Sequence, residues 1–285
     1  MSRIYGFIRL VRPVNGLMMG LAVLVGASLA LAEPFSTTVA FKLLLGFITA
    51  FTLSGASMAV NDYYDQEIDR INEPSRPIPS GLVKPLESLA CAGAFILIGL
   101  SASAFTNLLS LAVAVLSLAM SIMYATKGKR TGLPGNFLVS ACVAVSFIYG
   151  SLVVDQSLSL KAMFFAALAF LANTGREVAK GIVDVEGDKA KGMRTVVVSR
   201  GEKVASYVAS AFFFSAVLLS SFPPAFGLVT AWYIPFVTVA DLGFAASSVN
   251  LVHNPSRQNA RRTKNLIMAW MLLGMVAFFV GGFQT

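Results

Sequence analysis

Nine stretches of apolar sequence recur along this chain, at residues 14–32, 38–60, 86–104, 107–125, 134–153, 161–179, 204–221, 226–247 and 264–282. Each is about the length a helix needs to cross a hydrocarbon layer roughly 30 Å thick. A lipid interior offers no water to backbone N–H and C=O groups, so segments that cross it must satisfy those groups internally, as helices do. With 56% hydrophobic and only 13% charged residues among 285, the chain is too apolar for an ordinary water-soluble domain. The expected fold is therefore all-α: an integral membrane bundle of nine transmembrane helices, forming a single domain over residues 1–285.

The charges orient that bundle, because Lys and Arg collect in cytoplasmic loops. With the N-terminus in the cytoplasm, every one of the 22 Lys and Arg residues except Lys42 and Lys161 falls on the cytoplasmic side or at its helix ends. Moving one span breaks the pattern. The formal net charge of +8 then follows from orientation and from anionic head groups, and requires no nucleic acid. Arg3, Arg9 and Arg12 precede an apolar stretch that ends at Ala30-Leu31-Ala32, which resembles a secretory signal. The stretch is longer than a signal's apolar core and the charge alternation needs it as the first span, so it is expected to be retained. Cys91 and Cys142 fall inside spans, which argues against a disulfide framework, and the single histidine, His253, against a His-rich metal site. No obligate protein partner is evident. The protein is expected in the cell membrane, multi-pass.

Against this background the carboxylates are scarce, 14 in all, yet four of them, Asp62, Asp65, Glu67 and Asp69, crowd into the first nine residues of NDYYDQEIDRINEPSRPIPSG, residues 61–81. The two longest polar insertions, about 61–85 and 175–203, both belong to the cytoplasmic side. Asp65-x-x-x-Asp69 in the first is echoed by Asp184-x-x-x-Asp188 in the second, 119 positions on (184 − 65). Arg76 follows the first pair and Arg194 the second. The echo suggests two pseudo-repeated four-helix halves, spans 1–4 and 5–8, with the ninth appended.

If the helix continues past residue 60, Asn61, Asp65 and Asp69 stand at i, i+4 and i+8, and with Asp62 they project within about 100° of one another. Glu177, Lys180, Asp184 and Asp188 make a second stripe. Like charges on one face repel, and a cation among them relieves the cost. Oxygen ligands without His or thiolate favour Mg²⁺ over zinc, which makes Asn61, Asp62, Asp65, Asp69, Asp184 and Asp188 the expected metal ligands. Mg²⁺ completes its shell with water and substrate phosphate. With Arg76, Lys127 (in YATKGKR, residues 124–130), Lys180 and Arg194 nearby in sequence or in mirrored positions, the pattern reads as a diphosphate clamp. Lys129 and Arg130 read as orientation charge. In Arg76-Pro77-Ile78-Pro79-Ser80-Gly81 the prolines stop the helix and the glycine permits a turn, giving a stiff loop. Asp241, inside the eighth span, marks a shorter span or a polar contact between helices.

Taken together these residues resemble the UbiA superfamily of intramembrane prenyltransferases. Its first signature, an Asn followed by two Asp at four-residue steps, matches Asn61, Asp65 and Asp69, and its second, DxxxD, matches Asp184 and Asp188. Within the superfamily, residues 61–81 resemble two branches, the archaeal digeranylgeranylglyceryl phosphate synthases and the chlorophyll synthases. GREVAKGIVDVEGDKAKGMRTV, residues 175–196, resembles the archaeal branch more. The resemblance implies Mg²⁺-dependent transfer of a geranylgeranyl group from its diphosphate to the hydroxyl of geranylgeranylglyceryl phosphate, forming the second ether bond of archaeal membrane lipids. Catalysis would rest on Asp65, Asp69, Asp184 and Asp188, at a site facing the cytoplasm. The acceptor's own phosphate would need a further cation, for which Arg12 is the candidate, with Asn15 and Tyr124 beside it in the acceptor role. A chlorophyll-type or aromatic (quinone) acceptor is the alternative within the superfamily. A cation-coupled transporter with two repeated halves is the alternative outside it, and such proteins place ionisable groups near the membrane midplane rather than at one face.

Overall fold

The computed structural model describes residues 3–31 and 36–282. Ala32, the last residue of the expected first span and of the signal-like tripeptide, lies outside them. Among the described residues there are helices and no strands. In chain order they are α1 (Arg3–Val11), α2 (Pro13–Ser28), α3 (Thr37–Asn72), α4 (Pro85–Ala104), α5 (Leu108–Thr126), α6 (Leu133–Asp155), α7 (Leu160–Ala190), α8 (Val196–Ser220), α9 (Phe222–Ala225), α10 (Tyr233–His253) and α11 (Arg257–Gly282).

Eight segments among the described residues are long and apolar enough to cross a membrane: Arg3–Ser28, Thr37–Asn72, Pro85–Ala104, Leu108–Thr126, Leu133–Asp155, Val196–Ala225, Tyr233–His253 and Arg257–Gly282. The sixth expected span, 161–179, falls on α7, which carries Lys161, Arg176 and Glu177 in that run and is not one of the eight. Leu97, Phe105, Leu108 and Leu218 are 68–81% exposed, which suits contact with lipid and not with water.

Helices outrun hydropathy at three places. α3 is 36 residues long, roughly 54 Å at 1.5 Å per residue, so its last turns extend past the apolar run 38–60. α7 likewise continues to Ala190 and α11 begins at Arg257, seven residues ahead of the apolar run expected from 264. The polar insertions expected as loops at 61–85 and 175–203 are thus largely helical, and the true connections shrink to residues 73–84 and 191–195. The eighth span is corrected in the other direction. It starts at Tyr233 and not at 226, because Pro223, Pro224 and the positive φ of Gly227 (63°) break the chain into a short helix and a turn although residues 226–232 are mostly apolar.

The chain divides into two compact units, and the boundary lies inside α6 and not between the fourth and fifth spans. The first comprises residues 1–128 and 145–158, the second 129–144 and 159–285. In the first unit α3 packs against α1, α2, α4 and α5, around Leu10, Ala56, Ala59, Val60 and Val83. The C-terminal half of α6 lies against α2 at backbone distance: a Cβ on Gly26 would run into the carbonyl of Phe147, and one on Gly150 into the carbonyl of Val23. Such small-residue contacts let helices approach where lipid removes the hydrophobic drive to associate. Because the obstacles are backbone atoms, Gly26→Leu is expected to destabilise the protein by about 1–3 kcal/mol, read as a lower melting temperature in detergent. The fully accommodating outcome, an unchanged melt, would mean that α2 and α6 are not in contact.

In the second unit α7 packs against α8 and α11, and α10 against α8 and α11. Val178, Ile182, Val183, Phe213, Leu251 and Ile267 form its core. Gly201 (φ 84°) breaks α8 between a first short turn and the long apolar helix. Asp241 of α10 accepts a hydrogen bond from Ser220 Oγ of α8 at 2.7 Å, so it is the polar contact between helices that sequence left open. Cys91 and Cys142 are free thiols.

Candidate active site

The continuation of α3 to Asn72 puts Asn61, Asp62, Asp65 and Asp69 on a single helix, as the sequence pattern requires. Around them the first unit gathers charges that are distant in sequence. Arg12 stands at the break between α1 and α2 with φ 48°, a left-handed conformation uncommon for a residue with a side chain, followed by Pro13 at the first position of α2. Its Nη2 donates to Asp62 Oδ1 at 2.5 Å and its Nη1 meets the sulfur of Met58, one turn earlier on α3, at 3.0 Å. Asn15 Nδ2 approaches the same sulfur at 3.8 Å.

Arg76 reaches the same group from the other side. The 73–84 loop is held by Ser80 N donating to the carbonyl of Arg76 and by Val83 N donating to that of Pro77, each at 3.0 Å. Pro77, Ile78 and Val83 are buried, and Gly81 takes φ 75°. This stiff turn folds back on α3 and delivers Arg76 Nη1 to 2.7 Å from Asp69 Oδ2 and 3.5 Å from Asp62 Oδ1. The result is an alternating chain, Arg12, Asp62, Arg76, Asp69, in which Asp62 is 1% and Asp69 3% exposed.

Two observations test whether these residues suit a divalent cation. Asn61 Oδ1 is buried and accepts no hydrogen bond, an arrangement that ordinarily costs stability unless a ligand supplies the missing partner. Asp69 lies beyond the apolar part of α3. There burial, helped by the neighbouring carboxylates of Asp65 and Asp62, pushes its carboxyl up to about 6 against the pull of the Arg76 guanidinium, a cost that a bound cation would relieve. Among the described residues no three acidic, imidazole or thiol side chains cluster as a complete metal site. Mg²⁺ does not demand one, since it binds through one or two carboxylates and fills its shell with water and phosphate. The oxygen donors present fit it.

In the second unit Asp184 is half-buried and Asp188 is 7% exposed on α7. Lys180 lies one turn before Asp184, with Nζ 3.4 Å from Glu177 Oε2, and Glu177 also accepts from Arg176 at 2.8 Å. Arg194 is exposed, and its backbone N–H donates to the carbonyl of Arg130 at 3.2 Å. Gly132 (φ 75°) permits this crossing, since a Cβ there would meet the Arg194 carbonyl. Lys127 is exposed at the C-cap of α5, and Tyr124 is half-buried one turn before it. The structure thus unites Arg12, Asp62, Arg76 and Asp69, and joins Lys180 to Glu177. Met58 and the Arg130 carbonyl were missed from sequence. A methionine in an apolar run and a backbone oxygen carry no signal, whereas Glu177 was visible as the start of the second stripe.

An all-helical, multi-pass membrane protein with acidic motifs on two helices, one of them interleaved with arginines, is the class that fold and site define. The chain belongs to the UbiA prenyltransferase family, whose model matches residues 19–279. It is 33% identical over 279 residues to the digeranylgeranylglyceryl phosphate synthase of Archaeoglobus fulgidus, covering 96% of this chain and 94% of that one. It is also 33% identical over 287 residues to the enzyme of the same name from Korarchaeum cryptofilum, covering 100% of both. A solved structure giving structural and mechanistic insights into the biosynthesis of digeranylgeranylglyceryl phosphate synthase in membranes superposes with TM-score 0.74 at 27% identity, over 99% of each chain. A UbiA homolog from Archaeoglobus fulgidus bound to GPP and Mg²⁺ shares the fold, with TM-score 0.67 at 17% identity over 96% of this chain and 99% of that one.

Proposed function

We propose that this chain transfers a geranylgeranyl group from geranylgeranyl diphosphate to the free hydroxyl of geranylgeranylglyceryl phosphate, forming the second ether bond of archaeal membrane lipids. Nine membrane crossings with a cytoplasmic N-terminus would put the reaction at the cytoplasmic face. The observation that carries the reading is the pairing of Arg12 and Arg76 at the acid-bearing end of α3, since a reaction between a diphosphate and a phosphorylated alcohol brings several anionic groups together. The names of relatives matched over nearly their whole length support the same acceptor.

Asn61, Asp65 and Asp69 on α3 and Asp184 and Asp188 on α7 would hold Mg²⁺. When bound, Mg²⁺ supplies Lewis-acid charge to the diphosphate oxygens. Arg76 and Lys127 in the first unit and Lys180 and Arg194 in the second are the cations for diphosphate charge, and concentrated positive charge stabilises a diphosphate as the leaving group. The allylic C–O bond then breaks with its electron pair going to the diphosphate, and the acceptor oxygen attacks the carbon. The hydroxyl proton passes to a motif carboxylate or to the departing diphosphate. Arg12, with Asn15 and Tyr124, binds the acceptor's phosphate end. Apolar side chains of the spans exclude water, which would otherwise capture the allylic cation left when that bond breaks.

The test is product analysis by mass spectrometry of purified protein given geranylgeranyl diphosphate with each acceptor in turn. Expected is a product of the phosphorylated glyceryl ether that disappears on chelation with EDTA and returns with Mg²⁺. Transfer solely to an aromatic ring would replace this reading.

A further inference from the structure

Asp62 is out of step with the four-residue series of Asn61, Asp65 and Asp69, and it lies deepest of the three aspartates toward the apolar run of α3. Its side chain is 1% exposed and its Oδ1 already faces two guanidiniums, Arg12 Nη2 at 2.5 Å and Arg76 Nη1 at 3.5 Å. These arginines come from segments distant in sequence, one from the left-handed junction of α1 and α2, the other from the 73–84 loop. Two like charges held this close repel unless an anion stands between them. A metal ion bound through Oδ1 would have to displace Arg12 and leave that guanidinium beside a divalent cation.

We propose that Asp62 is a positioning residue, and not a magnesium ligand as its place in the motif suggests: it holds Arg12 and Arg76 side by side as a pair of phosphate-binding arginines. The Arg12 side chain is 31% exposed, and its Nη1 rests against the sulfur of Met58, a weak acceptor that a phosphate oxygen displaces. Arg12 is therefore anchored through one nitrogen and available through the other. The inference rests on the prenyl diphosphate reading for the identity of the phosphate, but its division of labour among Asp62, Asp65 and Asp69 is read separately.

The experiment compares Asp62→Asn and Asp65→Asn in the full-length protein. Expected for Asp62→Asn is a rise of roughly 10- to 100-fold in KM for the diphosphate or for the phosphorylated acceptor, with the Mg²⁺ concentration for half-maximal rate unchanged. A readout independent of turnover is Mn²⁺ binding in the presence of inorganic pyrophosphate, followed by electron paramagnetic resonance. Asp62→Asn should keep the bound Mn²⁺ signal while Asp65→Asn loses it. Loss of that signal in both would overturn the proposal. If Asp62→Asn does not fold, Arg12→Gln with Asp62→Asn removes both buried charges, and retained Mn²⁺ binding in the double variant supports the proposal while its loss overturns it. If the wild type shows no prenyl transfer at all, the functional reading fails and the Mn²⁺ comparison still decides the role of Asp62.

Discussion

Asp65→Ala and Asp184→Ala are each expected to lower prenyl transfer by roughly 10²–10³-fold or more while leaving the protein folded. Asp65 and Asp184 are half-buried residues on the polar extensions of α3 and α7, outside the apolar cores built on Val60 in one unit and Val183 in the other. Removing either side chain deletes an oxygen donor and opens no cavity in those cores. The measurement is initial rate with saturating geranylgeranyl diphosphate beside a thermal melt in detergent. Full turnover by either variant at ordinary Mg²⁺ concentrations would show that its motif does not hold the metal. A collapsed melt would show instead that the carboxylate is structural.

Arg76→Ala should have the next largest effect, because a single guanidinium serves two buried carboxylates. Its loss leaves Asp62 and Asp69 facing each other across the place where the guanidinium stood. Charge-assisted hydrogen bonds of this kind, partly open to solvent as Arg76 is at 22% exposure, make a stability loss of about 1–3 kcal/mol reasonable. The expected fall in kcat/KM is about 10- to 100-fold. Arg76→Lys separates charge from geometry: a lysine restores the sign at the point where Nη1 meets both carboxylates but lacks the guanidinium's remaining planar donors, so partial rescue of stability with little rescue of kcat/KM is expected. Complete rescue of both by lysine would mean that only the charge matters.

How much of this was legible in the sequence depends on which physical signal each feature leaves. The spans were readable because burial in lipid imposes length and apolarity together, and the registers of Asn61, Asp65 and Asp69 and of Asp184 and Asp188 were readable because helical spacing is fixed. Helix ends were not, since hydropathy marks where lipid stops and not where hydrogen bonding stops. α3 and α7 therefore ran 12 and 11 residues past the apolar runs that ended at 60 and 179. The start of α10 was misplaced for the opposite reason, because an apolar turn after Pro223-Pro224 looks like span. Arg76 was assigned to phosphate from its place after the Asp pair, yet its fold-back onto Asp62 and Asp69 depends on the turn geometry of the 73–84 loop. That Asp62 would pair with Arg12, 50 positions away, is a tertiary fact with no local trace.

The division of the chain within α6 bears on how such a protein can be taken apart. Asn107, at the start of α5, donates to the carbonyl of Leu152, and Gly26 abuts Phe147, so residues 145–155 complete the first unit although they come after the 127–132 connection. A polypeptide severed at residues 128–132 would strand that wall on the wrong piece. Co-expressed fragments split there should recover only by trading α6 between them, whereas a nick at 156–159 would keep the first unit whole but part residues 129–144, where Ser140 accepts from Asn173, from the rest of the second.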